Sequence, residues 1–404
     1  MRGSLKIARI GGIDIGIHYT WILAFIIIGW SLAQGYFPQQ YKSWTTAAYW
    51  MAGFLSAILL FVSVLLHELA HSLVAQARGL PVSSITLFIF GGVSNLSEEP
   101  DNAGQEFIMA IVGPLTSLAL AGIFWGIWYL VTGEPILPLL SGSVPGNSAF
   151  IVAIVGYLAF INLGLAVFNL LPGFPLDGGR VLRSIIWKTT GNLVRATDIA
   201  SIIGRIFGWG FIAYGVFLFY PVGDYISAIW IAIIGFFLTN AAETSRQEVT
   251  TRELLTGVQV GQVMELNIET VSPRMTVAEL VRDVFLVRRR RTVPVAEDDR
   301  IIGMVAISDV RALPQEEWPI VPVERIMTRE PLHAVKPEDD LNTALKVIAQ
   351  YDLNQVPVLN QGKLVGILSR ANVINFLQLK HELGMKRGRG AKQGKDSAPM
   401  ISRQ

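Results

Sequence analysis

From Ala47 to Leu66 the chain reads AAYWMAGFLSAILLFVSVLL, without one charged residue. At the rise of an α-helix, a stretch of this length reaches across the hydrocarbon core of a bilayer. Lipid offers the backbone no hydrogen bonds, so such a segment has to be helical. Five further stretches share its character. The spans are expected near Tyr19–Gly35, Ala47–Gln76, Glu106–Val131, Ser148–Leu171, Ile199–Tyr220 and Tyr225–Ala241. With 404 residues, 51% of them hydrophobic and 16% charged, the chain has room for these spans and a soluble domain. The expected fold class is a polytopic α-helical membrane domain with a short membrane-border β segment, followed by a soluble α/β domain. A net charge of +2 selects no partner and gives no reason to expect nucleic acid. The absence of cysteine excludes disulfides and thiolate metal ligands. Arg2, Lys6 and Arg9 precede a long apolar span with no small-residue cleavage site, so no cleavable signal is expected.

The second span ends in FVSVLLHELAHSLVAQAR, Phe61 to Arg78, which contains His67-Glu68-Leu69-Ala70-His71. Residues four apart share a helix face, so His67 and His71 are able to offer two imidazoles to one ion. Glu68 projects to the side, where a carboxylate is placed to take a proton from an activated water. In a soluble helix this pattern is often only a solvated face. Inside an apolar span nothing solvates it, and ionisable groups there point to function.

Two histidines leave a catalytic zinc one protein ligand short. A third histidine nearby is excluded, because Val74 and Ala77 stand where Gly and His would be needed, and no Asp or Glu occurs between His71 and Glu98. The best candidate lies farther on, in Asn169-Leu-Leu-Pro-Gly-Phe-Pro-Leu-Asp177-Gly-Gly-Arg180. Pro172 and Pro175 break an apolar helix there, and Gly178-Gly179 are expected to form a tight turn after Asp177. The alternative is that Asp177 caps the next helix.

The H-E-L-A-H run within a span, followed by N-L-L-P-x-x-P-L-D-G-G-R, resembles the site-2 protease family of intramembrane zinc metalloproteases over residues 6–243. The resemblance implies His67, His71 and Asp177 as ligands of one Zn2+, Glu68 as general base, and another protein's transmembrane segment as substrate. A reading of a different class is a membrane transporter or ion sensor with a structural metal. A structural site would be closed by four protein ligands, whereas three ligands and a base leave a coordination position open.

Basic residues gather before the first span and after the fourth, at Arg180, Arg183, Lys188 and Arg195. The positive-inside rule then places both termini in the cytoplasm, and the expected location is a prokaryotic plasma membrane. Pro81 to Asn95 is β-branched and partly alternating, with a Gly91-Gly92 break, and reads as strand and turn at the membrane border. Its edge, with Gly91 and Gly92, is a candidate for holding unwound substrate by strand addition. Asn162 and Asn169 share a face of the fourth span. Interhelical hydrogen bonding is the ordinary role of such residues, and a substrate carbonyl contact is the functional one. Gly113-Pro114 is expected to kink the third span.

Beyond Glu243 the composition turns soluble. A polar linker is expected over 244–256, and a basic disordered tail over 380–404. Between them a repeat of about 63 residues appears. Glu269-Thr-Val-Ser-Pro273 matches His333-Ala-Val-Lys-Pro337, and Arg291-Thr-Val-Pro-Val295 matches Asn354-Gln-Val-Pro-Val358. Each copy reads strand, helix, strand, strand, helix, over 257–313 and 322–379. This resembles a tandem pair of CBS domains at 257–379. The resemblance implies a regulatory module, a homodimer through the pair, and adenine nucleotide at Gly303 and Asp309 in one copy and Gly366 and Ser369 in the other. Ala306 and Asn372 depart from the nucleotide-binding pattern, one in each copy.

Overall fold

A computed structural model of the chain describes residues 4–96, 100–133, 150–223, 225–266, 268–297, 300–329 and 332–383. Contacts divide the chain between residues 249 and 250. Among the described residues, six helical stretches are long and apolar enough to cross a membrane: Thr20–Gln40, Thr46–Ala77, Ala103–Thr132, Phe150–Asn169, Leu193–Phe219 and Ser227–Leu255. The principal helices are α1 (Thr20–Ser31), α2 (Thr46–Ala77), α3 (Ala103–Thr132), α4 (Phe150–Asn169), α5 (Asp177–Thr190), α6 (Leu193–Tyr214) and α7 (Tyr225–Leu255). Their outward faces carry Leu130, Ile151 and Phe217, exposed by 84%, 70% and 75%. A water-soluble fold would not leave a whole belt of this kind uncovered, and lipid covers it here. The inward faces are small. A Cβ at Gly53 of α2 would meet the Gly29 carbonyl and Ala33 on the first span, so the two backbones touch only because Gly53 has none.

A four-stranded sheet, β1 (Ser4–Ile10), β2 (Ile13–His18), β3 (Val82–Phe88) and β4 (Gly91–Leu96), lies in that order. The β3–β4 hairpin is the expected membrane-border segment. The β1–β2 hairpin was not expected. Its signal is present as Gly11-Gly12, both at positive φ (+58° and +82°), between two partly alternating runs. The basic residues of β1 had been read only as the charged flank before the first span. β2 pairs parallel with β3, Ile15 opposite Ile85. Ile13, Ile15 and Ile85 are fully buried in a cluster with Leu65, Leu69, Val74 and Ala75 of α2. The sheet is thereby fixed to the last turns of α2, which carry the H-E-x-x-H run. At the hairpin tip, Phe90 stacks on Phe237 of α7 with ring centroids 4.4 Å apart. This aromatic contact ties β4 to the last span.

The helix break falls where the prolines predicted, but Gly178-Gly179 do not form a turn after Asp177. They are helical, in the first turn of α5. A Cβ at Gly178 would strike the Leu170 and Leu171 backbone, and one at Gly179 the backbone of Gly173 and Phe174. The two glycines let α5 lie directly against the loop that precedes it, with the Phe174 amide donating to Ala200 O of α6 at 3.1 Å.

In the second unit the two copies repeat helix, strand, strand, helix. Copy one has a helix opening at Val277–Glu279 and continuing as π turns over Leu280–Leu286 (α8), then β5 (Thr292–Glu297), β6 (Arg300–Ala306) and α9 (Ile307–Arg311). A short β7 (Thr328–Arg329) pairs with β6. Copy two has α10 (Leu341–Gln350), β8 (Gln355–Asn360), β9 (Lys363–Ser369) and α11 (Arg370–Glu382). The leading strand expected in each copy is a single bridge, Val271 with Val295 and Val335 with Val358. Pro273 and Pro337 follow two residues later and cannot donate to a ladder. The polar stretch 244–256 is helical up to Leu255, as the end of α7. Residues 380–382 of the basic tail are helical in α11, and 384–404 lie outside the described residues.

Candidate functional site

His67 and His71 lie on one face of α2, both buried, with exposures of 4% and 9%. Facing them, one stripe of α3 presents Met109, Gly113 and Ser117, spaced four apart in turn. The His71 Nδ1–H donates to Met109 O at 2.6 Å, and His67 Nδ1 lies 2.9 Å from Ser117 Oγ. The Met109 carbonyl fixes the His71 tautomer, because a carbonyl only accepts. The ring's other nitrogen, Nε2, is then a lone-pair donor for an ion. Between the two contacts sits Gly113, where a Cβ would collide with Nε2 of both histidines. The Gly113-Pro114 pair had suggested a kink alone. Its glycine is the floor of the site, and Ser117 was not foreseen at all. A Gly–x3–Ser pair in an apolar span, Gly113 and Ser117, was the available signal.

Asp177, in the first turn of α5, completes the cluster. Its Oδ2 lies 3.0 Å from His67 Nε2 and 3.1 Å from His71 Nε2, and the two Nε2 atoms are 3.2 Å apart. Three potential ligand atoms converging this closely form a set that one cation would hold together. Zinc with ligands at about 2.0–2.1 Å in tetrahedral array would hold them about 3.3 Å apart. The donor set therefore fits zinc, and among the described residues this is the group of three or more ligand side chains able to hold a metal. Asp177 does not cap α5 with its side chain, so the capping alternative has no hydrogen bond to rest on.

Glu68 turns away from the cluster toward the sheet. Its Oε2 accepts from Ser94 Oγ at 2.9 Å, and Ser94 Oγ accepts from Ser72 Oγ at 3.1 Å. Gly92 lies against the same side chain, and a Cβ there would meet Glu68 Cγ. Glu68 and His71 open on a cavity of about 270 Å³ whose wall includes Gly92, Ser94, Phe174, Arg180 and Glu248. Gly91, at φ +133°, ends the hairpin turn and is not among the residues that line the cavity.

The helix that bears Asp177 is tied to α3 by a buried ion pair that sequence reading missed. Arg183 of α5 pairs with Glu106 of α3, both under 5% exposed, and the guanidinium lies 5.0 Å from the centre of the Phe174 ring. Removing one partner of such a pair leaves a buried charge, at a cost of about 3–5 kcal/mol. The two asparagines are engaged elsewhere. Asn162 donates to Ser63 Oγ of α2 at 3.1 Å and to Leu158 O at 2.8 Å, the interhelical role. Asn169 donates to Leu165 O at 3.0 Å. Neither is among the residues lining the cavity.

In the second unit the glycines of the repeat are packing positions. A Cβ at Gly303 would meet Met327 Sδ and Thr328 O, and one at Gly366 would meet Met264. Asp309 accepts from the Ala306 amide at 2.8 Å, and Asn372 accepts from the Ser369 amide at 3.0 Å, so the two copies use equivalent residues to start equivalent helices. A cleft of about 60 Å³ is lined by Glu265, Glu269, Arg290, Gln355 and Ser369. Arg290 closes on Glu265 through two bonds of 2.9 and 2.6 Å, and its hydrogen bonds hold the Glu265 carboxyl below the usual range.

Comparison with known proteins gives the family of the chain. The model of peptidase family M50 matches residues 55–211, and that of the CBS domain matches 260–316 and 323–379. A candidate zinc metalloprotease of Synechocystis sp. is 34% identical over 94% of this chain and 96% of its own length. The zinc metalloprotease MJ0392 of Methanocaldococcus jannaschii is 30% identical over 95% of this chain and 99% of its own. Among solved structures, the site-2 protease from Methanocaldococcus jannaschii is 29% identical, covering 60% of this chain and 95% of that one, with a TM-score of 0.41. The family model falls on the helices that bring His67, Glu68, His71 and Asp177 together, and the relatives extend over both units. The chain is a multi-pass membrane metalloprotease of peptidase family M50, of the site-2 protease type, with a tandem pair of CBS domains.

Proposed function

We propose that the chain hydrolyses peptide bonds within transmembrane segments of other membrane proteins, with one zinc ion held by His67, His71 and Asp177. The observation that carries this reading is the convergence of those three acceptor atoms beside the Glu68 carboxylate, on a cavity formed among membrane helices. When bound, zinc supplies a Lewis acid for the scissile carbonyl and acidifies water. Glu68 takes the proton of the attacking water and returns it to the leaving amide nitrogen. The unpaired edge of β4 receives the substrate as an added strand, so that the scissile backbone is no longer hidden in a helix. Ligands from two separate elements and an adjacent carboxylate favour this over a transporter with a closed structural metal. The test is to map cleavage products of single-span proteins co-reconstituted with the chain. Cuts inside the span are expected, and cuts confined to soluble loops overturn the reading.

Both termini belong to the cytoplasmic side on this proposal, in line with the basic Arg180, Arg183, Lys188 and Arg195 near α5. A C-terminal tag should resist external protease in intact cells; digestion there reverses the topology. The CBS pair acts as a regulatory module. What supports this is the order of the chain, in which the CBS matches begin at residue 260, directly after α7. The exposed Leu266, Leu286, Val287 and Ile320 favour a homodimer through the pair, which sedimentation in detergent reads directly.

Adenine nucleotide binds the pair weakly on this reading. The cleft is far smaller than the ~300–1,000 Å³ of ordinary ligand pockets, and the Arg290–Glu265 bridge has to open for entry. Calorimetry of ATP or AMP against the whole chain in detergent should return a roughly millimolar Kd, lost in Asp309→Ala, the acidic residue that the CBS resemblance implies at the nucleotide site. Micromolar binding untouched by Asp309→Ala places the nucleotide elsewhere.

A further inference from the structure

β4 presents alternate residues to α2. Val93 is 40% exposed and borders the same cavity, while Gly92 and Ser94, two apart and therefore on one strand face, both meet Glu68. The hydrogen-bond directions follow from the partners. Glu68 Oε2 accepts the Ser94 hydroxyl proton. Ser94 Oγ then takes the hydroxyl proton of Ser72, a fully buried residue one turn after Glu68 on α2. Among the described residues Glu68 Oε1 carries no hydrogen bond from the chain, and it is the oxygen left to receive a proton. Gly92 supplies the second half of the arrangement. The carboxylate stem lies where a Cβ at residue 92 would be, so any side chain there would push Glu68 off its rotamer.

We propose that β4 is half of the general-base site, with Ser94 as a positioning residue that, backed by Ser72, aims the Glu68 carboxylate while Gly92 gives it room. The proposal rests on Glu68 being the base. It adds that the strand whose free edge is open to the substrate backbone also fixes the base. The register of an added strand along β4 then sets which peptide bond stands before Glu68 Oε1. A base displaced by a fraction of an ångström loses rate while the substrate still binds.

The test is steady-state cleavage of a single-span substrate by Ser94→Ala, Ser94→Thr, Ser72→Ala and Gly92→Ala in detergent, with bound zinc measured in each. Ser94→Ala is expected to lower kcat about tenfold or more with KM and zinc content near those of the parent. Ser94→Thr, which keeps the hydroxyl and suits a strand, should restore most of kcat. Ser72→Ala should cost a smaller factor in kcat, and Gly92→Ala should resemble Ser94→Ala. A raised KM at unchanged kcat in Ser94→Ala makes Ser94 a substrate contact and overturns the proposal, as does a parent-like kcat. Loss of zinc along with rate, unrescued by Ser94→Thr, also overturns it in favour of a general structural role. Glu68→Gln separates the two levels. An inactive Glu68→Gln beside a fully active Ser94→Ala removes only the positioning role, whereas an active Glu68→Gln removes the base itself.

Discussion

Glu68→Gln is expected to keep its zinc and to lose cleavage by about 10³-fold or more. The glutamine side chain has the volume of glutamate and accepts the Ser94 hydroxyl through its carbonyl, so the local packing is preserved. The three proposed ligand atoms belong to His67, His71 and Asp177, and none of them is altered. What disappears is the ability to hold a proton between water and the leaving nitrogen, since an amide does not accept one at ordinary pH. General acid–base groups contribute about 10²–10⁴-fold, and one carboxylate serving both transfers stands toward the upper end. A loss of 10³-fold corresponds to about 4 kcal/mol of barrier. Metal analysis and cleavage of a single-span substrate, made on the same preparation, give the answer. Near-parental turnover with zinc bound would show that some other group moves the proton, and would end the mechanism proposed above.

Much of this site was legible before any coordinates, and the reasons differ from part to part. H-E-x-x-H is readable because both its geometry and its cost in an apolar span are local. Three turns of α2 contain the whole argument. The Pro172–Pro175 break is equally local, and the helix does stop at Asn169. The wall that completes the site is not local. Gly113 and Ser117 acquire meaning only when α3 is laid antiparallel against α2, so that His67 meets Ser117 and His71 meets Met109. The Gly178-Gly179 pair was misread for the same reason. Glycine announces freedom of φ as readily as closeness of approach, and here closeness is the cause, with the backbone at 170–174 filling the space of both missing side chains. The β1–β2 hairpin was hidden by its charges. Lys6 and Arg9 suggested a basic flank to a span, whereas both pair with Asp14 across the hairpin. In the CBS pair the helices and paired strands were periodic enough to read, while the leading strands shrank to one bridge each because a proline follows too soon.

Asp177→Ala is expected to lower zinc affinity and activity together, each by more than about 100-fold, while Asp198→Ala changes neither. Residues that only orient a metal ligand alter affinity by about 10–100-fold, so removal of a ligand itself should exceed that range. The substitution leaves His67 beside Ser117 and His71 with its tautomer still set by Met109, but two imidazoles alone supply no charge to the ion and only half of a tetrahedral shell. Asp198 is a fair control. It lies on α6, is 41% exposed and faces Arg246 at 4.0 Å, outside the cluster. Asp177→Asn tests the charge separately, since it keeps an oxygen in place while removing the negative charge that balances the ion; an intermediate loss of zinc is the expected result. Because Arg183 and Glu106 hold α5 against α3 independently of the ligand, the altered chain should retain its fold, and its melting profile without metal should match that of the metal-free parent. Full, tightly held zinc in Asp177→Ala would move the third ligand to another residue and separate the helix break from the chemistry it was read to serve.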